Sequence, residues 1–217
     1  MPEEWDTLRE LGADSVPVVA KGDRFTYGQS LADVAAFVGF AYDDTPQLPP
    51  DELVRRLDLV LAAAQRLIRQ IPAARLDDNV LERERTYREL AYHTFRIADA
   101  FIKVTIEARG EVTLEDLTSP APDTIHSIDD IVVYGEGVRR LVQGWWAQEE
   151  DRECARLVPT YWGEHRLHLV LERMTWHPAQ HVRQFAMLLE KFGVKPDRPL
   201  TAADLAGLPV PEKVWDE

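Results

Sequence analysis

Four stretches of this chain carry apolar residues at steps of three and four, the period that puts one stripe along a helix. The first runs through Leu53, Leu57, Val60, Leu61, Ala64, Leu67, Ile68 and Ile71, and the third through Ile128, Ile131, Gly135, Val138, Val142 and Trp145. The second runs through Leu90, His93, Ile97, Phe101, Val104 and Ala108. The fourth runs through Leu167, Val170, Met174, His177, His181, Phe185, Leu188 and Phe192. These last two place histidine where the period asks for hydrocarbon. A striped helix must bury its stripe against another element, so four of them predict a mainly α chain built as a four-helix bundle.

Proline divides the chain. Thr45-Pro46-Gln47-Leu48-Pro49-Pro50 and Val194-Lys195-Pro196-Asp197-Arg198-Pro199 both discourage helix continuation. They separate an N-terminal piece (1–46), a central unit (50–193) long enough for one core, and a tail (194–217). Within the central unit, a polar link at about 73–85 joins the first two helices. Residues 109–126 hold Gly110, Pro120 and Pro122 and no clear helix of their own. At about 3.3 Å per extended residue against 1.5 Å per helical residue, that connection can run the length of a bundle. The third helix is therefore expected parallel to the second, in an up-down-down-up order. The start of the second helix, the start of the third and the end of the fourth then share one end.

The N-terminal piece has a different rhythm. Ser15-Val16-Pro17-Val18-Val19-Ala20 is β-prone, Lys21-Gly22-Asp23 is a turn, and Arg24-Phe25-Thr26-Tyr27-Gly28 is a second strand. Ser30 then caps a helix through Phe40. A lone hairpin is marginal, so this small hairpin-plus-helix unit must pack on the bundle or on a partner's equivalent strand. It resembles the second half of a glutaredoxin over about 30 residues, where a Val-Pro loop with a cis proline precedes a hairpin and a final helix. The Cys-x-x-Cys half of that fold is missing, so the resemblance implies no redox catalysis. It implies packing or dimer formation ahead of a contact to a thiol. In the tail, Thr201-Ala202-Ala203-Asp204-Leu205 has the capping pattern of a short helix, with Trp215 as an anchor over the bundle; a frayed acidic tail is the other reading.

A net charge of −13 with no basic stripe excludes binding to a phosphate backbone. No run of about 18 apolar residues exists to cross a membrane, and Met1-Pro2-Glu3-Glu4 lacks the pattern of a signal peptide, so the cytoplasm is the expected compartment. The single cysteine, Cys154, forbids an internal disulfide and any Cys-x-x-Cys pair. Its acidic neighbours Glu149, Glu150, Asp151 and Glu153 oppose thiolate formation, so it is not a nucleophile candidate.

Chemistry then falls to histidine. His177 and His181 lie four apart, so their imidazoles project from one helix face and can grip one ion. His93 replaces an apolar residue about two turns into the second helix, which the parallel geometry brings to the same half of the bundle. Three imidazoles converging from two helices make a divalent metal site with open positions, the pattern of catalytic rather than structural zinc. A histidine on an apolar face also serves as an ordinary core side chain. Leaving three such groups unpaired costs about 1–3 kcal/mol each, however, and a shared ion removes that cost.

Around these ligands, Glu89 lies one turn before His93 and is the one general acid or base candidate, as fourth ligand or orienting carboxylate, unless it is a plain surface residue. Pro178 removes a hydrogen bond to the Met174 carbonyl and bends the helix beside His177, either aiming that ligand or tolerated without a role. Ser127 caps the third helix with Asp129 and Asp130 in its first turn, beside a loop histidine, His126. His165 and His168 begin the fourth helix, two turns or more from the triad, and read as structural. Of Trp145 and Trp146, one is expected to face the core and one the surface or an interface.

The fragments Tyr92-His93-Thr94-Phe95-Arg96-Ile97 and Thr175-Trp176-His177-Pro178-Ala179-Gln180-His181-Val182-Arg183-Gln184 resemble the DinB superfamily, which includes the bacillithiol S-transferases and mycothiol-dependent maleylpyruvate isomerase. The resemblance covers roughly residues 50–193. It implies the up-down-down-up bundle, a zinc or nickel ion on His93, His177 and His181, a homodimer, and a metal-activated thiol; it does not imply DNA binding. The expected activity is transfer of a small-molecule thiol to a small electrophile, ahead of metal-dependent hydrolysis. The alternatives are a non-catalytic metal-binding or dimerisation module, in which an ion staples two helices, and a small-ligand binding protein.

Overall fold

The computed structural model describes residues 8–13, 17–81, 83–107 and 111–215. It is mainly helical, with two short antiparallel hairpins. Strands β1 (Val18–Lys21) and β2 (Arg24–Tyr27) pair through a tight turn in which Gly22 takes φ 65°, the left-handed region a two-residue hairpin turn needs. The expected strand residues Ser15 and Val16 lie outside the described residues. Helix α1 (Leu31–Val38) is capped by the Ser30 side chain, which accepts from Asp33 N–H. It stops two residues before the expected Phe40, because Gly39 turns left-handed at φ 95° and ends the ladder.

The four apolar stripes form the four long helices: α2 (Pro50–Ile68), α3 (Tyr87–Glu107), α5 (Ile128–Gln148) and, after the second hairpin, α6 (Leu167–Lys191). Pro50 starts α2 with Asp51 and Glu52 in its first turn. Ser127 and Asp130 form a reciprocal capping box at the start of α5, as their spacing predicts. Helix α2 packs chiefly against α6 and α5, and α3 against the same two. Their shared core holds Leu53, Leu57, Phe95, Phe101, Ile131, Leu171 and Phe185, all fully buried. Trp145 is buried in it and Trp146 only partly so, under Arg152. No helix among the described residues is long and apolar enough to cross a membrane.

Two connections differ from expectation. The stretch read as having no helix contains α4 (Leu114–Thr118), five residues closed by a reciprocal Thr113–Asp116 capping box. It is too short for an apolar period to reveal, and its sequence signal is the cap; Leu117 is buried against the core. Strands β3 (Leu157–Thr160) and β4 (Gly163–Arg166) form a second hairpin immediately before α6, so His165 sits on a strand and not at the helix start. Gly163 at φ 131° and the Thr160 hydroxyl donated to the Gly163 carbonyl make that turn.

The N-terminal unit docks on this hairpin and on α6. Arg173 donates to the Gln29 side chain at 2.7 Å, the Tyr27 ring meets Tyr161 edge-on, and His165 lies 3.4 Å from Asp33. In the tail, the short helix α7 (Ala202–Leu205) has its own capping box at Thr201. Residues 211–214 then run along α6, and Trp215 packs beneath Arg83 with the guanidinium 5.1 Å from the ring.

Candidate metal centre

His93 comes from the second turn of α3, and His177 and His181 from adjacent turns of α6. Their ring centroids are 5.6, 5.2 and 5.0 Å apart, and one ring nitrogen from each lies within 4.8 Å of the others. His181 is buried and the other two partly so. Two elements that are distant in sequence thus bring together the three histidines that interrupt the apolar stripes. Pro178 follows His177 inside α6, which continues through it to Lys191.

The site holds its imidazoles neutral. Burial drives His93 down to about 3, helped by the neighbouring His181 and by Arg85 and opposed by a backbone carbonyl. Burial takes His181 to about 4 and His177 well below its ordinary value, the latter reinforced by His181, His93, Arg173 and Arg85. Neutral imidazole is the form that ligates a metal, so no proton need leave before an ion enters.

The hydrogen bonds decide which nitrogen carries the proton on His93. Its Nδ1 lies 3.0 Å from the carbonyl oxygen of Leu117 in α4; a carbonyl only accepts, so Nδ1 is the donor and the lone pair sits on Nε2. His181 Nδ1 lies 2.8 Å from Gln184 Oε1, and His181 Nε2 is buried with no hydrogen-bond partner. A buried nitrogen left bare is costly, and a cation shared with two other imidazoles would satisfy it. Three neutral nitrogen donors suit a divalent ion of the borderline kind, zinc among them. The residues fit such an ion.

Glu89 caps the start of its own helix. Its Oε2 accepts from the Thr86 backbone N–H at 2.7 Å and hydroxyl at 3.0 Å, capping the start of α3. It still lines a cavity of about 190 Å³ beside His93, together with Glu84, Arg85, Tyr92 and the Thr118–Ala121 strip. Arg85 carries no apolar-period signal and its contribution is invisible in the sequence, as is the Leu117 carbonyl, which has no side-chain signature. Gln184 was findable: it lies three residues after His181, on the neighbouring helix position.

The remaining candidates stand apart. His126 is exposed, its backbone N–H given to Asp130. His168 Nε2 meets the Leu48 carbonyl at 2.8 Å, and His165 stacks on Trp162. Cys154 is fully buried and its thiol is pushed up to about 12, by burial first and by Asp151 and Glu149 after it. The acidic neighbours are visible in the sequence, whereas desolvation, the larger cause, comes from the fold.

No protein-family model matches the chain. No curated protein matches it either.

Proposed function

We propose that this chain is a DinB-like, metal-dependent enzyme of the cytoplasm, acting as a homodimer, in which His93, His177 and His181 hold one divalent ion, zinc ahead of nickel. The observation that carries the reading is the buried, partnerless Nε2 of His181 beside two further neutral imidazoles. Contacts between the long helices support the up-down-down-up order. Asp58 meets Arg139 while Gln65 reaches Val132, so rising numbers in α2 meet falling numbers in α5. Tyr87 meets Phe192 and His93 meets His181, so α3 and α6 are likewise opposed. Tyr92 stacks on Tyr134 and Phe101 meets Trp145 edge-on, contacts that support a parallel α3 and α5.

A divalent ion in this position supplies Lewis acidity, lowering the pKa of a thiol or water that approaches it. The chain's own residues do the rest. His93 and His181 keep their protons on Nδ1, burial keeps all three rings uncharged, and the cavity beside His93 has room for a small molecule. The thiol has to be a substrate, because Cys154 is buried and protonated. Thiol transfer to a small electrophile leads hydrolysis on the strength of the sequence resemblance.

Elemental analysis of protein purified without added metal tests the reading. About one ion per chain is expected, lost in His177→Ala; protein that stays metal-free under every loading condition would sink it. Glutathione, mycothiol and bacillithiol are then assayed against a model electrophile. A metal-dependent rate supports the transferase, whereas metal binding with no rate and a large chelator-induced drop in melting temperature supports a staple between α3 and α6.

A further inference from the structure

The tail reaches the metal centre through a run of directed hydrogen bonds on α6. Arg183 donates to Gln180 Oε1 at 2.7 Å and to the carbonyls of Pro211 and Glu212. A guanidinium only donates, so Gln180 must turn its oxygen toward Arg183 and its NH₂ away, where the carbonyls of Lys213 and Val214 accept it at 3.1 and 2.7 Å. Gln184 Nε2 donates to the same Val214 oxygen at 3.3 Å. A carbonyl only accepts, so Gln184 has its NH₂ on the tail and its oxygen on His181 Nδ1, 2.8 Å away.

We propose that Gln184, oriented by the Val214 carbonyl, is a positioning residue that locks His181 as the Nδ1–H tautomer and so leaves the Nε2 lone pair for the ion. This rests on the metal reading above. The direction matters because an amide is nearly symmetric in shape. With no acceptor on the tail side, Gln184 can turn over and offer NH₂ to Nδ1, which then holds the lone pair while Nε2 carries the proton. That tautomer cannot ligate through the atom that faces the other imidazoles. On the opposite side of the site a backbone carbonyl, Leu117, does for His93 what Gln184 does for His181. One ligand is thus set by the α4 connection and the other by the C-terminal segment.

The test uses the full-length chain, with zinc affinity read by competition against a chromophoric chelator and the His181 tautomer read from long-range ¹H–¹⁵N spectra of metal-free protein at mildly alkaline pH. Gln184→Leu is expected to weaken zinc roughly ten- to hundredfold and to give a mixed His181 tautomer. Gln184→Glu, which presents only acceptors, keeps the Nδ1–H tautomer and the affinity although it releases the tail. Arg183→Leu, which frees the tail, weakens zinc in the Gln184 background and not in the Glu background. Wild-type affinity and an unchanged tautomer in Gln184→Leu would overturn the proposal, as would equal losses in Gln184→Leu and Gln184→Glu. If the wild-type chain takes up no zinc, the metal reading fails, and the tautomer spectra alone then decide this one.

Discussion

His93 donates from Nδ1 to the carbonyl oxygen of Leu117 across 3.0 Å, which ties a candidate ligand on α3 to the short helix α4. Helix α4 buries Leu117 against the core, and two polar devices hold it besides. Thr113 and Asp116 cap each other, and Arg96 Nε donates to the Asp116 carbonyl at 2.6 Å from one turn along α3. The connection between the second and third stripes is therefore part of the candidate site.

Loosening that cap should be felt at the ligand. Thr113→Ala removes a side-chain cap worth about 0.5–2 kcal/mol, and on a five-residue helix that is a large share of what keeps it formed. Zinc affinity is expected to fall several-fold while the melting temperature changes little, since the main core does not involve Thr113. Thr113→Ser, which keeps the hydroxyl, should behave as wild type. Chelator competition and thermal melts on the same samples check both statements.

The fold was legible where periodicity carries it. Each long helix follows a stripe set by Leu, Ile, Val and Phe, and the histidine triad shows itself as three breaks in two stripes. What surrounds the triad was not legible, because it is made of groups without a pattern. The Leu117 carbonyl belongs to any residue type, α4 is shorter than one and a half helical turns, and the β3–β4 hairpin rests on a Gly163 turn just before the expected start of the fourth helix. Glu89 carries two signals at once. Its spacing from His93 suits a ligand, yet the same residue three positions after Thr86 suits a helix cap, and the cap is where its carboxylate lies.

Acid should destabilise the metal-free protein through the triad. The ordinary histidine value is 6.5, and in the fold His93 lies near 3, His181 near 4 and His177 well below normal. The unfolded chain therefore binds protons before the folded one as pH drops below 6.5, and stability falls through that window toward the folded values; above 6.5 these groups add no slope. Each contributes at most about 1.4 kcal/mol per pH unit. Denaturant midpoints from neutrality to about pH 5 should decline, and more shallowly in His177→Leu. A flat wild-type profile would contradict a buried neutral triad.

Glu172 carries the opposite sign. Burial on α6 pushes its carboxyl from 4.5 up to about 7, Asp44 adds to the rise, and a bond from the Gln47 backbone opposes it. The folded chain keeps this proton longer than the unfolded chain. Its contribution is complete below 4.5 and is lost as pH rises through 7. Glu172→Gln should match wild type in acid and exceed it above neutrality by on the order of 2 kcal/mol, measured by urea unfolding at both extremes.

Two glycines of α5 should respond to alanine with opposite signs. A Cβ on Gly135 would stand 2.6 Å from the Phe95 ring, which is fully buried, whereas one on Gly137 meets nothing within 4 Å. Gly137→Ala gains about 0.5–1 kcal/mol from helix propensity alone. Gly135→Ala gains the same propensity but must displace an aromatic ring in a packed core, an overpacking cost of about 1–3 kcal/mol, so a net loss of stability is expected. The displacement also has a direction. Phe95 lies two residues after His93 on the same turn of α3, so a shifted ring moves the helix that presents the ligand, and Gly135→Ala should weaken zinc binding where Gly137→Ala leaves it unchanged. Melting curves and chelator competition on the two variants separate packing from propensity, and a Gly135→Ala protein as stable as wild type would mean that α3 and α5 are not held at this distance.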